Sequence, residues 1–284
     1  MAENLSTLSV GEPPIELTGY SVAGEETVVA APGLDVMFDI GKAPRALLSV
    51  NHVCLSHGHM DHAAGLAYYF WQRDFQDNTP GTVLLPAALA APAERMLRDW
   101  AAIEGHQAPF NLHPMNAGDR FEIRRDLFLE AFDVPHGKTV PSLGFVVFEN
   151  RRKLKGEFAE LTGPQIVALK NQGVQITDLF QMPQVAYLGD TEVFDFTANR
   201  LIAEARVLIA ECTFFEDDHR SRARAGFHTH LQDVPHLLEM TQAQAVVLTH
   251  LTRRTGLRAA RAALRKILHP PEQFARVHFL MDSK

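Results

Sequence analysis

The sequence predicts an α/β protein in which two β-sheets pack face to face with helices on the outside. Three observations support this fold class. Short apolar and β-branched runs dominate the first half of the chain, whereas predicted strands and helices alternate in the second half. Residue types that bind metals follow the ends of predicted strands in both halves. No linker, repeat or low-complexity stretch interrupts residues 1–284, so we expect a single domain.

The predicted strands of the first half are short runs rich in apolar and β-branched residues, broken by glycine and proline. They follow a polar leader and cover residues 19–23, 26–31, 35–40, 51–56, 82–85, 121–123, 127–132 and 143–148. Apolar residues at helical spacing predict two helices among them, over residues 63–76 and 87–104.

The second half alternates between the two kinds of element. Pro164 in the first turn and Gly173 at the end predict a helix over 164–171. The later elements are predicted strands at 184–189, 207–210, 245–249 and 277–280, and predicted helices near 195–205, 231–241 and 255–268. This order favours a second sheet that is covered by helices.

The composition excludes several classes of protein. A chain of 284 residues with 46% hydrophobic residues buries a large core, and no run approaches the roughly 18 apolar residues of a membrane span. Cys54 and Cys212 lie in apolar runs, which predicts buried free thiols and a reducing cytoplasm. The N-terminal residues do not resemble a secretion signal.

The formal charge of −7 argues against a partner coated in phosphates, but the charge is unevenly distributed. Residues 1–142 carry 9 basic and 18 acidic side chains, whereas residues 143–284 carry 18 and 16. Basic residues are concentrated at 151–155, 220–224 and 253–266. The second half therefore offers one candidate face for RNA, although any single basic group can equally be a solvated surface.

The run His57-Gly-His-Met-Asp-His62 directly after a predicted strand is the strongest chemical signal. Imidazole and carboxylate groups bind zinc-like ions, and alternate residues leaving a strand point the same way. His57 and His59 can therefore converge on one ion, while Asp61 and His62 face a second. A solvated histidine-rich loop is the alternative, and the apolar strand that leads into the run argues against it.

Three more candidate ligands follow later predicted strands: His136, Asp190 and His250. Each is weak evidence alone, because a histidine or aspartate after a strand is more often part of a turn. Together with the first four, they supply the seven ligands that two ions sharing a carboxylate require.

These motifs resemble those of the metallo-β-lactamase superfamily and, within it, the tRNase Z family of tRNA 3′-processing endoribonucleases. The resemblance includes Phe38-Asp-Ile-Gly, Gly189-Asp-Thr, Ala210-Glu-Cys-Thr-Phe and Thr249-His-Leu-Thr-Arg-Arg, and it is nearest to the short plant-type branch. It implies a four-layer αββα sandwich and a metal-dependent enzyme that removes the 3′ trailer of precursor tRNA. It also implies two divalent ions, preferably zinc with manganese or iron as alternatives, and a homodimer.

The resemblance also implies roles for individual residues. One ion would bind His57, His59 and His136, the other Asp61, His62 and His250, and Asp190 would bridge them. Asp39 would brace the ligand loop, and Asp61 would assist deprotonation of the attacking water. Glu211 and His228 would form a proton-donating pair, with His230 as the substitute for His228. Substrate-binding residues would be Lys138, Arg253 and Arg254.

Residues 149–183 depart from the family pattern. Bacterial short forms carry a long tRNA-gripping arm between the motifs of His136 and Asp190, whereas this interval is short. We therefore expect a reduced substrate arm within residues 149–183.

Three alternatives to the endoribonuclease remain open from the sequence. A superfamily hydrolase of small phosphodiesters or lactones would keep the seven ligands without needing Glu211 and His228. A catalytically silent RNA-binding relative would have no physical reason to crowd seven polar groups together. An oxygen-activating iron site would use the same donor types.

Overall fold

The computed structural model describes residues 5–137 and 139–283, and its first sheet has seven strands in sequential order. These are β1 (Ser6–Val10), β2 (Ile15–Val22), β3 (Glu26–Ala31), β4 (Val36–Phe38), β5 (His52–Cys54), β6 (Thr82–Pro86) and β7 (Leu112–Met115). Strands β1 to β4 pair antiparallel, and β4 to β7 pair parallel.

The second sheet also has seven strands in sequential order within the described part of the chain. These are β8 (Arg120–Arg124), β9 (Leu127–Asp133), β10 (Leu143–Leu154), β11 (Thr177–Tyr187), β12 (Val207–Glu211), β13 (Ala245–Thr249) and β14 (Val277–Phe279). Strands β8 to β11 pair antiparallel, and β11 to β14 pair parallel. Residues up to 115 thus build one sheet and residues from 120 onward build the other, and in each sheet the parallel strands come later in the sequence.

Helices connect the parallel strands of both sheets, and one further helix lies between the antiparallel strands β10 and β11. They are α1 (Met60–Ala63), α2 (Leu66–Phe75), α3 (Ala87–Glu104), α4 (Gly163–Asn171), α5 (Arg200–Ala203), α6 (Arg220–Gly226), α7 (Val234–Glu239), α8 (Leu257–Ile267) and α9 (Pro271–Ala275). Single 3₁₀ turns lie at Pro32–Leu34, Arg45–Leu47, Gly156–Phe158, Asp217–His219, Leu231–Asp233 and Leu280–Ser283.

Three apolar cores define four layers. The middle core contains residues of both sheets, such as Leu17, Phe38 and Phe145. Alternate residues of each strand face outward instead, where α2 and α3 cover the first sheet and α5, α7 and α8 cover the second. The predicted arrangement of two facing sheets between helices is therefore confirmed.

The predicted polar leader is wrong. Residues of β1 and β2 alternate between buried and exposed, with Val10, Ile15 and Leu17 facing the middle core. Their polar composition comes from the exposed positions of an edge strand, and it concealed this alternation. Strand β7 and helices α6 and α9 were likewise not predicted, because they are short and only partly buried.

The segment expected to form a reduced arm is an extended hairpin. Strands β10 and β11 remain paired as far as Leu154 and Thr177, and α4 lies between them. Thr162 and Gln165 cap α4 reciprocally, but none of its residues is buried. The hairpin extends both strands beyond the sequence predictions because backbone pairing, rather than burial, holds this part together.

Two smaller expectations can be compared directly with the structure. Cys54 and Cys212 are free and buried, as predicted. Among the described residues, no helix is long and apolar enough to cross a membrane.

Candidate metal centre

The candidate ligands meet at one edge of the two sheets. His57 follows β5 in the first sheet, while His136, Asp190 and His250 follow β9, β11 and β13 in the second. Because parallel strands of one sheet end at the same edge, residues that are far apart in sequence converge there. The expectation that both sheets contribute to one site agrees with this geometry.

The loop that carries His57 to His62 is locked against the segment after β4. The carbonyl oxygen of His62 accepts from the N–H groups of Ile40 and Gly41, at 3.0 and 3.1 Å. Gly65, the residue before α2, lies very close to this segment. A Cβ atom added to Gly65 would lie 2.3 Å from the backbone nitrogen of Ala43. A glycine is required at this close approach.

The structure brings the candidate donor atoms together in overlapping groups. Each group of three has its ligand atoms within 4.8 Å of one another: one group is His57, His59 and His136, and another is Asp61, His62 and His250. Asp190 lies between them, because its Oδ2 is 3.3 Å from Nε2 of His62 and 3.2 Å from Nε2 of His250.

The chemistry of these donors fits divalent cations. Nε2 of His57 is buried and has no hydrogen-bond partner within residues 5–137 and 139–283. Burial and the neighbouring imidazoles hold the pKa of His57 well below its usual value, which favours the neutral ring that binds metal. Burial alone would raise the pKa of Asp190, but the charges of His250 and His62 hold it well below its usual value. A buried array of imidazole and carboxylate groups is the donor set of a zinc-like site.

Asp39 organises the first half of this site. Its carboxylate is completely buried and accepts from the backbone N–H of Ser56 at 2.7 Å, from Nδ1 of His62 at 2.7 Å and from the hydroxyl of Tyr187 at 2.5 Å. The residue has φ of +54°, a left-handed conformation that aspartate tolerates better than most residues. These contacts orient His62, as a metal site requires of the groups behind its ligands.

Glu211 and His228 form the second charged feature of the site. Oε1 of Glu211 lies 2.6 Å from Nδ1 of His228, and Glu211 also accepts from the N–H of Thr191 and the hydroxyl of Thr213. Burial alone would lower the pKa of His228, but the charge and hydrogen bond of Glu211 outweigh burial and raise it to about 9. The imidazole is therefore positively charged at neutral pH.

His230, the substitute considered for His228, is already occupied. Its Nε2 lies 3.0 Å from the carbonyl oxygen of Glu216, and its Nδ1 accepts from the N–H of Gln232. The ring is buried and caps the 3₁₀ turn Leu231–Asp233. Both ring nitrogens thus serve the main chain.

Comparison with known proteins identifies the family. A profile described as the β-lactamase superfamily domain matches residues 28–251. The tRNase Z TRZ1 of Arabidopsis thaliana is 33% identical over 273 residues, which cover 95% of each chain. The chain belongs to the tRNase Z family of this superfamily.

Two solved structures share the fold of this tRNase Z family member. The short form of human tRNase Z has a TM-score of 0.57 and 17% identity, covering 97% of this chain and 96% of that one. The metallo-β-lactamase fold protein YhfI from Bacillus subtilis has a TM-score of 0.61 and 12% identity, with the same coverage. At these identities they establish the fold alone, and the predicted metallo-β-lactamase fold is confirmed.

The predicted substrate-binding residues differ in their surroundings. Arg253 is exposed and forms a two-pronged ion pair with Glu25. Arg254 is exposed and forms no ion pair with any of the described residues. Lys138 lies outside the described residues.

Strand β2 and the turn that follows it contribute contacts that the sequence did not predict. The N–H of Gly24 donates to Oδ2 of Asp61 at 2.8 Å, and the hydroxyl of Ser21 accepts from the N–H of His250 at 2.8 Å. Both partners are remote in sequence, so no local pattern could have indicated them. The turn thus contacts the ligand loop of the first sheet, and β2 contacts the ligand segment of the second.

Proposed function

We infer that this chain is a metal-dependent endoribonuclease that removes the 3′ trailer of precursor tRNA by phosphodiester hydrolysis. The similarity to tRNase Z over 95% of both chains supports this activity. The observation that carries it is the Glu211–His228 pair beside the seven candidate ligands, because a leaving ribose oxygen needs a proton and His228 holds one at neutral pH.

We propose that His57, His59 and His136 hold one divalent ion, that Asp61, His62 and His250 hold a second, and that Asp190 contacts both. Two such ions, when bound, supply an activated water and offset charge that develops on the phosphoryl oxygens. Zinc is the preferred ion because histidine outnumbers carboxylate in this set. Manganese and iron use the same donors, and metal analysis of the purified protein distinguishes the three.

In this proposal the chain's own residues handle the protons. Asp61 accepts the proton that the attacking water loses, and the N–H of Gly24 holds its carboxylate in place. His228 protonates the leaving O3′ atom, while Glu211 keeps its ring oriented and charged. The tRNA body is then left with a 3′-hydroxyl and the trailer with a 5′-phosphate. His228 is preferred to His230 as the donor, because both ring nitrogens of His230 contact the main chain.

RNA binding is assigned to basic side chains near the site. Arg254 is the strongest candidate, because it follows His250 by four residues and its charge is available. The pair with Glu25 partly neutralises Arg253, which therefore contributes less to phosphate binding unless that pair opens. Lys138 is retained as a candidate from its position two residues after His136.

A panel of substrates tests this proposal. We expect cleavage of a precursor tRNA with a 3′ trailer at a rate far above that of bis(p-nitrophenyl) phosphate or a lactone. Turnover of the small substrates alone would establish the alternative hydrolase instead. A purified protein that binds no divalent metal would favour a silent RNA-binding relative.

We also propose a cytoplasmic homodimer whose chain forms a single domain. The free, buried thiols are consistent with a reducing compartment. The exposed face of α2 and α3 carries large apolar side chains, including Phe75, Trp100 and Ile103, the last of which is 76% exposed. Sedimentation equilibrium tests the assembly: a dimer mass is expected, and a monomer at all concentrations would contradict it.

A further inference from the structure

The two halves of the site contain the same chain of hydrogen bonds. In the first, the hydroxyl of Ser56 donates to Asp39 at 2.8 Å and lies 3.0 Å from Nδ1 of His57. In the second, the hydroxyl of Thr213 donates to Glu211 at 2.5 Å and lies 3.0 Å from Nδ1 of His250. Each buried carboxylate thus reaches one candidate metal ligand through a hydroxyl.

The direction of these bonds follows from proton counting. A hydroxyl has one proton, and a carboxylate oxygen can only accept it. The oxygen of Thr213 must therefore accept from Nδ1–H of His250, which leaves the lone pair on Nε2. That Nε2 atom lies 3.3 Å from Asp61 and 3.2 Å from Asp190.

Burial makes these hydrogen bonds difficult to replace. Thr213 and His250 are each 3% exposed, and Glu211 is 1% exposed, so solvent offers little replacement for a lost partner. The backbone of His250 has φ of +61°, and its N–H donates to the hydroxyl of Ser21. The hydroxyl of Thr213 contacts Nδ1 of the ring, whereas Asp61 and Asp190 lie beside Nε2.

We propose that Thr213 is a positioning residue that sets the tautomer and orientation of His250 for metal binding. Because the same hydroxyl donates to Glu211, it also joins this ligand to the carboxylate that orients His228. This inference rests on the proposed metal centre and assigns a role behind its second ion. Loss of the hydroxyl removes one support from each partner.

Three substitutions separate the hydroxyl from the shape of the side chain. Thr213→Val keeps the shape and removes the hydroxyl, whereas Thr213→Ser keeps the hydroxyl. Thr249→Val is the matched control, since Thr249 is also 3% exposed but donates to the main-chain carbonyl of Ala210. Thr213→Ala serves as a second hydroxyl-free variant if Thr213→Val does not fold.

The test measures zinc affinity of the full chain by competition with a chelator, together with kcat and KM on precursor tRNA. Removing the hydroxyl should lower the affinity for one of the two zinc ions by about 10- to 100-fold. It should also lower kcat with little change in KM. Thr213→Ser and Thr249→Val should retain wild-type affinity. Wild-type affinity in both hydroxyl-free variants, or equal loss in Thr213→Ser, would overturn the proposal. A wild type that binds zinc but leaves precursor tRNA intact refutes the endoribonuclease, while the affinity comparison still decides the role of Thr213.

Discussion

Nδ1 of His228 lies 2.6 Å from Oε1 of Glu211, and this pair places a charged imidazole beside a set of metal-binding side chains. The carboxylate of Glu211 is held in place, because Thr191 and Thr213 donate to its two oxygens. The ring of His228 also stacks on that of His250, with centroids 5.4 Å apart. The proposed proton donor and a candidate metal ligand therefore lie in direct contact.

The pair predicts how activity depends on pH. The pKa of His228 is about 9, above its ordinary value of 6.5, so the ring is protonated below this pH and loses its proton as pH rises through it. Since the proposed role requires the proton, kcat should fall on the alkaline side. Glu211→Gln removes the charge that raises this pKa, and the fall should move to lower pH. The same alkaline limb in Glu211→Gln and wild type would contradict the assignment.

Asp39 should be needed for both stability and metal binding. In Asp39→Asn the amide nitrogen faces donors from Ser56, His62 and Tyr187, and at least one of them loses its acceptor. We expect the free energy of unfolding to fall by about 1–3 kcal/mol. Zinc affinity should fall by about 10- to 100-fold, because His62 loses its orienting partner. Chemical denaturation and chelator competition measure the two effects, and unchanged affinity would show that Asp39 does not orient a ligand.

The close approach at Gly65 predicts an effect on stability that arises from packing alone. In Gly65→Ala the new methyl group meets the backbone of Ala43, which is fixed by the segment after β4. We expect a loss of about 1–3 kcal/mol, measured by chemical denaturation. Gly163→Ala is the control, because nothing lies within 4 Å of the position its Cβ would take. Equal stability of the two variants would contradict the packing argument.

Arg254 should affect RNA binding without affecting the chemical step. Arg254→Ala should raise KM for precursor tRNA, leave kcat nearly unchanged and reduce the slope of log KM against log salt concentration by about 0.7–0.9. Hydrolysis of bis(p-nitrophenyl) phosphate should not change if it is detectable. Arg98→Ala is the control, since Arg98 is an exposed arginine that pairs with Glu94 on α3. Equal effects of both variants would indicate a general loss of charge rather than a contact.

The sequence predicted the elements that carry the site because their signals are local. The run from His57 to His62 directly follows a strand, and His250 ends an uninterrupted apolar strand. The supporting hydroxyls were missed because their partners are remote: Tyr187 and Asp39 are 148 residues apart, and Ser21 and His250 are 229 apart. Serine, threonine and tyrosine also occur throughout the chain, so only the packing of the two sheets distinguishes these particular ones.

The edge strands illustrate a different limit. The sequence of this segment does alternate, with Val10, Ile15 and Leu17 at its buried positions. The segment was nevertheless interpreted as a leader, because most of its other residues are polar. The paired extension of β10 and β11 has no comparable apolar signal. Its strands depend on hydrogen bonds to each other, and such pairing is not visible in either segment alone.

Cleavage of a 3′-extended precursor tRNA by wild type and His228→Ala tests the central claim most directly. His228→Ala removes the proposed proton donor but leaves the seven candidate ligands, so the metal content should be unchanged. We predict that wild type releases the trailer and leaves a 3′-hydroxyl, and that His228→Ala is slower by about 10²- to 10⁴-fold. His236→Ala, at an exposed histidine on α7, should behave as wild type. Wild type that leaves the RNA intact, or His228→Ala that cleaves it at the wild-type rate, would contradict this account.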